Sequence, residues 1–173
     1  MTTPAIFVSG LPGVGKTTLC RAVARRLGIR FLRFDDLVTN APPQPFDFAK
    51  LIEAAKPLFT RHLTLCDSFP KGAAQAEVLD PVARPVLMLC VEDDPVVAAE
   101  RAQRRSPRRF TPERIREKFA KRAEQTAELR RYCTSRGTPI AELRNGPERS
   151  AFLEAGIHII AKTVRTENLH ATE

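Results

Sequence analysis

The sequence predicts an α/β fold, a five-stranded parallel sheet with helices on both faces, in three layers. Three observations carry this. Short apolar runs alternate with stretches of helical periodicity along all 173 residues. Residues 84 to 91 are apolar almost throughout, as a strand buried on both faces requires. Gly, Pro and Asn stand where one element gives way to the next.

The elements follow in order. Residues 5 to 9 (AIFVS) form a first strand that runs into a Gly-rich loop. From Thr17 on, Leu19, Val23 and Leu27 recur at helical spacing, and Gly28 stops the helix. Residues 29 to 34 read as a second strand. The Pro-rich stretch 41 to 45 is a loop, either a hinge at the edge of a moving arm or a surface connector. Phe48, Leu51, Ile52, Ala55 and Phe59 share one face of a helix. Residues 62 to 66 are a third strand, ended by Asp67, and residues 84 to 91 are a fourth. Asp94-Pro95 and Thr111-Pro112 each supply a capping residue followed by Pro at the first helical position. In the second of these helices Ile115, Phe119, Thr126, Leu129 and Cys133 lie along one side. Residues 138 to 143 are a fifth strand, Asn145-Gly146 turns the chain, and Pro147 opens a last helix reaching about Lys162. One domain over residues 1 to 165 is expected, with a polar tail, 166 to 173, that frays.

The charge is unevenly distributed. The formal net charge is +8, and residues 101 to 131 alone hold 12 basic against 4 acidic side chains. The basic residues are mostly Arg, 21 against 7 Lys, the side chain suited to bidentate contact with phosphate. The four cysteines lie at least 24 residues apart, which excludes a CxxC pair. Cys20, Cys66 and Cys90 sit in apolar runs and read as buried free thiols of a reducing compartment. No secretory signal and no apolar run of membrane-spanning length is seen. A cytoplasmic protein without membrane contact is expected.

Gly10-Leu11-Pro12-Gly13-Val14-Gly15-Lys16-Thr17 fits G-x-x-x-x-G-K-[ST], after a strand and before a helix. Glycines let backbone N–H groups turn inward around a phosphate, and the helix dipole adds positive potential. Lys16 reaches the β- and γ-phosphates and the Thr17 hydroxyl binds Mg²⁺, with Val14 and Thr18 completing the loop. The ligand expected is ATP with Mg²⁺. Asp67, at the end of an apolar strand, is the candidate to help hold the metal shell. Asp35 and Asp36 end the second strand on the same edge, where ligands bind in open α/β folds. One of the two could contact an acceptor or bind metal through water, and either could instead cap a turn.

A longer pattern builds on this loop. Residues 65 to 76 (LCDSFPKGAAQA) resemble the nucleoside monophosphate kinase segment written LxDGFPRxxxQA. Asp36-Leu37, the pair Arg101 and Arg105, the run 115 to 119 (IREKF), residues 124 to 127 (EQTA), Tyr132 and Arg136-Gly137 follow in the order of adenylate kinase-like chains. The resemblance spans about residues 5 to 160 and implies a P-loop NTPase-type sheet of order 2-3-1-4-5 with a short helical lid, about 101 to 116. It implies that Gly10, Gly13, Gly15, Lys16 and Thr17 hold the ATP phosphates, and that Arg101 packs on the donor adenine. Arg105, Arg116 and one of Arg108 or Arg109 would clamp the transferred group. Asp36, Ser68, Lys71 and Gln75 would form the acceptor side, with Lys71 on its phosphate and Gln75 on its base. The implied activity is transfer of the ATP γ-phosphoryl group to a nucleoside monophosphate by a monomer.

The departures concern the acceptor half. Ser68 and Lys71 replace Gly and Arg of the segment, and Thr39 replaces an Arg. The acceptor arm, about 38 to 60, is short. Three alternatives therefore stand beside the leading reading. They are a kinase of small hydroxyl compounds using Asp35 or Asp36, an ATP-binding module with little catalysis, and a nucleic-acid-end binder using the Arg window. Poor aromatic interleaving, Phe110 and Phe119 only, weighs against nucleic acid. A solvated basic face with a Glu117–Lys121 pair is the bland reading of the window.

Overall fold

The computed structural model describes residues 2–39, 47–59 and 62–170. The Pro-rich stretch 41 to 45 and part of the stretch expected as an acceptor arm, about 38 to 60, lie outside them. Five parallel strands run in the order β2-β3-β1-β4-β5: β1 (Thr3–Ser9), β2 (Arg30–Arg33), β3 (Thr64–Asp67), β4 (Ala83–Glu92) and β5 (Ile140–Arg144). That is the expected order. The helices are α1 (Lys16–Leu27), α2 (Phe34–Thr39), α3 (Phe48–Ala55), α4 (Ala73–Leu79), α5 (Pro95–Arg105), α6 (Pro112–Ser135) and α7 (Arg149–His170).

Strand alternation sorts the core into two layers. Ala5 and Phe7 of β1, Cys66 of β3 and Met88 and Cys90 of β4 face α3, α4 and α6, packing on Leu51, Leu79, Leu129 and Cys133. The intervening residues Ile6, Val8, Leu65, Leu87, Leu89 and Val91 face α1 and α7, against Leu19, Val23, Phe152 and Ile160. Both sheet faces are dry, which explains the near-continuous apolar run of β4. A third, small cluster of Ala102, Phe110 and Ile115 joins α5 to the start of α6. The expected lid is this short turn, closed by Arg109 and Phe110 amides on the Ser106 carbonyl.

Cap chemistry sets the boundaries. Asp94 accepts from the amides of Val96 and Val97 at the start of α5, and Thr111 accepts from Arg114 N at the start of α6. Gly28 ends α1 at φ 66°. Four features differ from the sequence expectation. The helix expected to carry Phe48 to Phe59 on one face ends at Ala55, and a 3₁₀ turn with Pro57, Lys56–Leu58, leaves Phe59 extended beyond it. The strand expected to reach residue 34 stops at Arg33, and Phe34 opens α2, because Asp35 and Asp36 suit a helix N-terminus. The seven-residue α4 has too few turns to show a period. The last helix runs to His170 instead of about Lys162, taking in most of the expected tail. Threonine hydroxyls at 163 and 166 bond back to Ile159 and Lys162, and Arg84 pairs with Glu167. No described helix is long and apolar enough to cross a membrane.

Leu129 is fully buried where α6 meets α4 and the sheet. Leu129→Ala is expected to cost about 2–5 kcal/mol of stability, read as a lower urea midpoint at unchanged slope.

Candidate active site

The loop between β1 and α1 is held from two sides. At Gly13, φ is 90° and a Cβ would stand 1.9 Å from the Ala98 carbonyl oxygen of α5. At Gly15, φ is 99° and a Cβ would stand 2.9 Å from Asn145 Nδ2. Only glycine meets both demands. Asn145, in the turn after β5, donates from Nδ2 to the Val14 carbonyl at 3.0 Å, and its own amide donates to Glu92 O at 2.7 Å. Val14 is fully buried and serves through its main chain.

Lys16 is buried at 7% exposure. Its ammonium donates to the Gly10 carbonyl at 2.8 Å and the Leu11 carbonyl at 2.7 Å. Burial lowers its pKa to about 8; Asp67 pulls the other way, and Arg122 and Arg105 add to the lowering.

The parallel register sets Asp67 level with Val8 and Arg33, at the carboxyl edge of the sheet. Its Oδ2 accepts from the Thr17 hydroxyl at 2.5 Å and its Oδ1 from the Ser68 hydroxyl at 2.9 Å. Ser68 has φ 67°, the left-handed conformation that explains glycine in the resembled segment. Its hydroxyl bond to Asp67 and its amide bond to Val8 O at 3.1 Å hold it there. One carboxylate and two hydroxyls are hard oxygen donors and fit Mg²⁺. Among the described residues no three His, Cys, Asp or Glu side chains gather as a metal site. A cation at Asp67 would therefore complete its shell from phosphate oxygens and water.

These groups open into a cleft of about 420 Å³. Gly13, Gly15, Lys16, Thr17, Thr18, Asp67, Ser68, Lys71, Arg101, Arg105 and Arg109 all line it. Gly10 contributes through its carbonyl. Arg101 is tied to Asp93. Lys71 lies 3.8 Å over the Phe34 ring, and burial with Arg122 and Arg109 nearby lowers its pKa to about 8. Asp36 and Arg116 are not among the wall residues. Asp36 is exposed and pairs with Arg33, and Asp35 lines the cleft in its stead. Gln75 accepts from the Lys71 amide at 2.9 Å and lines a neighbouring groove.

The residue that sequence reasoning missed is Arg122. It lines the cleft from α6, burial lowers its pKa against the pull of Asp67, and its Nη1 is buried with no hydrogen-bond partner among the described residues. A signal existed. The apolar side of α6, Ile115, Phe119, Thr126, Leu129 and Cys133, has a vacancy at helical spacing, and Arg122 fills it. Asn145, expected only in a turn, and Pro147, expected only as a helix start, also line the cleft, as do Arg149 and Phe152.

The sheet order, the loop and the helix after it define a P-loop nucleotide-binding fold. A family model described as "ATPase family associated with various cellular activities (AAA)" matches residues 6–54, the segment carrying the loop. Among solved structures, a gluconokinase from Sinorhizobium meliloti 1021 is similar at TM-score 0.56 and 16% identity, covering 96% of this chain and 97% of that one. At that identity the likeness concerns the fold. No curated protein matches the sequence.

Two predictions follow from the geometry. Lys16 and Lys71 lose protons near pH 8 in the free protein, whereas a bound phosphate favours both charged forms. ATP binding at pH 8.5 is therefore expected to take up protons, and affinity to fall as pH rises through about 8. Calorimetry in two buffers of different ionisation enthalpy measures the uptake; Lys71→Met should reduce the uptake on binding a monophosphate acceptor and leave most of that on binding ATP. Asn145→Ala leaves the Val14 carbonyl buried without its donor and is expected to weaken ATP binding about tenfold, read by the same titration.

Proposed function

We propose that this chain is an ATP- and Mg²⁺-dependent phosphotransferase of the adenylate kinase-like kind, moving the γ-phosphoryl group to a nucleoside monophosphate. The charge of the cleft carries this reading. Among the described residues, eight Lys or Arg side chains line it against two carboxylates. Arg33 and Arg101 are spent on aspartates outside the loop, yet six cations remain. MgATP brings a net charge of about −2. The surplus suits an acceptor with a phosphate of its own.

The chemistry follows from these positions. The loop amides and Lys16 bind the β- and γ-phosphates. Mg²⁺ bound by Thr17 and Asp67 would neutralise charge on the phosphate oxygens. Lys71 meets the acceptor phosphate, and Arg105, Arg109 and Arg122 surround the group in transit. An oxygen of the acceptor phosphate forms a bond to the γ-phosphorus as the bond to the β–γ bridging oxygen breaks. ADP leaves with that electron pair. The attacking oxygen is already ionised at neutral pH, so no base is needed. Positioning and charge neutralisation supply most of the acceleration in such a transfer. The four buried free cysteines suit a reducing compartment such as the cytoplasm.

Asp35 supports a second reading. It lines the cleft beside Lys71, where its carboxylate could take the proton of a hydroxyl acceptor. A kinase of small hydroxyl compounds would need such a base.

A phosphotransfer panel separates the two. Wild type, Lys16→Ala and Asp35→Asn are compared with ATP, Mg²⁺ and a set of nucleoside monophosphates and small hydroxyl compounds, following ADP and phosphorylated product. Lys16→Ala is expected to lose about 100-fold or more in kcat. With a monophosphate acceptor, Asp35→Asn should change kcat only a few-fold. A drop of about 100-fold or more confined to hydroxyl acceptors favours the second reading. ADP formation equal to the Lys16→Ala level with every acceptor sinks both.

A further inference from the structure

Next to the cleft lies a second groove of about 610 Å³. It shares Lys71, Arg109 and Arg122 with the cleft and adds Arg114, Lys118 and Lys121, against one carboxylate, Glu117. The residues from α6 fall on one helical face, at positions 114, 117, 118, 121, 122 and 125. The opposite wall is Lys71 and Gln75.

Several of these charges are uncompensated. The Arg114 and Lys121 side chains make no ion pair or hydrogen bond among the described residues, and the Glu117–Lys121 pair that the spacing allows is not formed. Arg122 Nη1 is buried without a partner. Packing this many like charges together costs free energy that an anion recovers. The groove is also a poor seat for a base. Among the described residues its one aromatic ring, Phe110, already carries Lys118 Nζ at 4.6 Å from the ring centre and the Arg109 guanidinium at 5.8 Å. Stacking, the main sequence-tolerant contact to single-stranded nucleic acid, has no free platform there.

We propose that the groove binds a second anionic group of the acceptor, a phosphate set apart from the one that receives the γ-phosphoryl group. The acceptor class is then a small molecule with two separated phosphates, such as a nucleoside bisphosphate. Lys71 and Arg122 stand between the two compartments and contact both groups. The word acceptor rests on the transfer reaction proposed above; the anion site itself does not.

Calorimetric titration of the full chain tests this without turnover. The probes are the 5′-monophosphates and the matching 3′,5′-bisphosphates of adenosine, guanosine, cytidine and uridine. For at least one nucleoside the bisphosphate is expected to bind about tenfold more tightly, the gain of one charge-assisted contact. In Arg114→Ser/Lys121→Ser, whose side chains are exposed, that ratio should fall toward one, with circular dichroism confirming the fold. Equal affinities for all four pairs in wild type overturn the proposal, and so does a ratio that persists in the variant. A 5′-phosphorylated oligonucleotide that binds more tightly than every bisphosphate, with affinity falling steeply in salt, overturns it in favour of nucleic acid. Failure of every phosphotransfer assay would sink the transfer reading and leave the measured ratio standing.

Discussion

A buried ammonium organises this molecule. Lys16 sits at the carboxyl edge of the sheet, tied to the carbonyls of Gly10 and Leu11 in the loop to which it belongs. Those are neutral acceptors for a charged donor, and a phosphate adds the attraction of opposite charges that a carbonyl lacks. The loop must therefore keep its shape while the lysine exchanges partners. Gly13 lies so near α5 that no side chain fits, and Asn145 holds the Val14 carbonyl from the turn after the edge strand β5. Elements remote in sequence, β4, α5 and the turn after β5, thus serve one short loop.

The second carboxyl-edge constraint is Asp67. Its two oxygens take hydroxyls from Thr17 and Ser68. This joins α1 to the end of β3 across the sheet. The bond also orients the carboxylate toward the mouth of the loop, where a cation between protein and phosphate would stand. Ser68 adopts a left-handed conformation that costs a non-glycine residue about 1 kcal/mol. Its hydroxyl bond to Asp67 offsets part of that, and glycine could not supply it.

Much of this was legible in the sequence because short spacing carried it. The phosphate loop is contiguous, Asp67 ends an apolar strand, and the alternation of elements specified a parallel sheet. What was hidden depended on rotation and reach. Whether Arg116 or Arg122 turns inward is a matter of helical phase, and six positions correspond to about 600° along α6. The apolar stripe held the answer, since Arg122 occupies a core-side position and Arg116 does not. Asp35 and Asp36 differ by one residue, and the early start of α2 decided which of them reached the cleft. Asn145 was visible only as a turn residue, because its partner lies 131 positions away.

The uneven charge acquires a structural meaning along α6. The C-terminal half of this helix is anchored by Leu129, Tyr132 and Cys133, with the Tyr132 hydroxyl and Arg136 both bound to Asp80. The N-terminal half carries Arg114, Arg116, Lys118, Lys121 and Arg122 and rests on the small cluster of Ala102, Phe110 and Ile115. Repulsion is therefore greatest where apolar burial is least. Local stability follows buried contacts, so the region from the α5–α6 turn to Arg122 is the first to gain when anions bind. The same arithmetic that crowds positive charge into one window thereby makes the order of that window depend on its ligand.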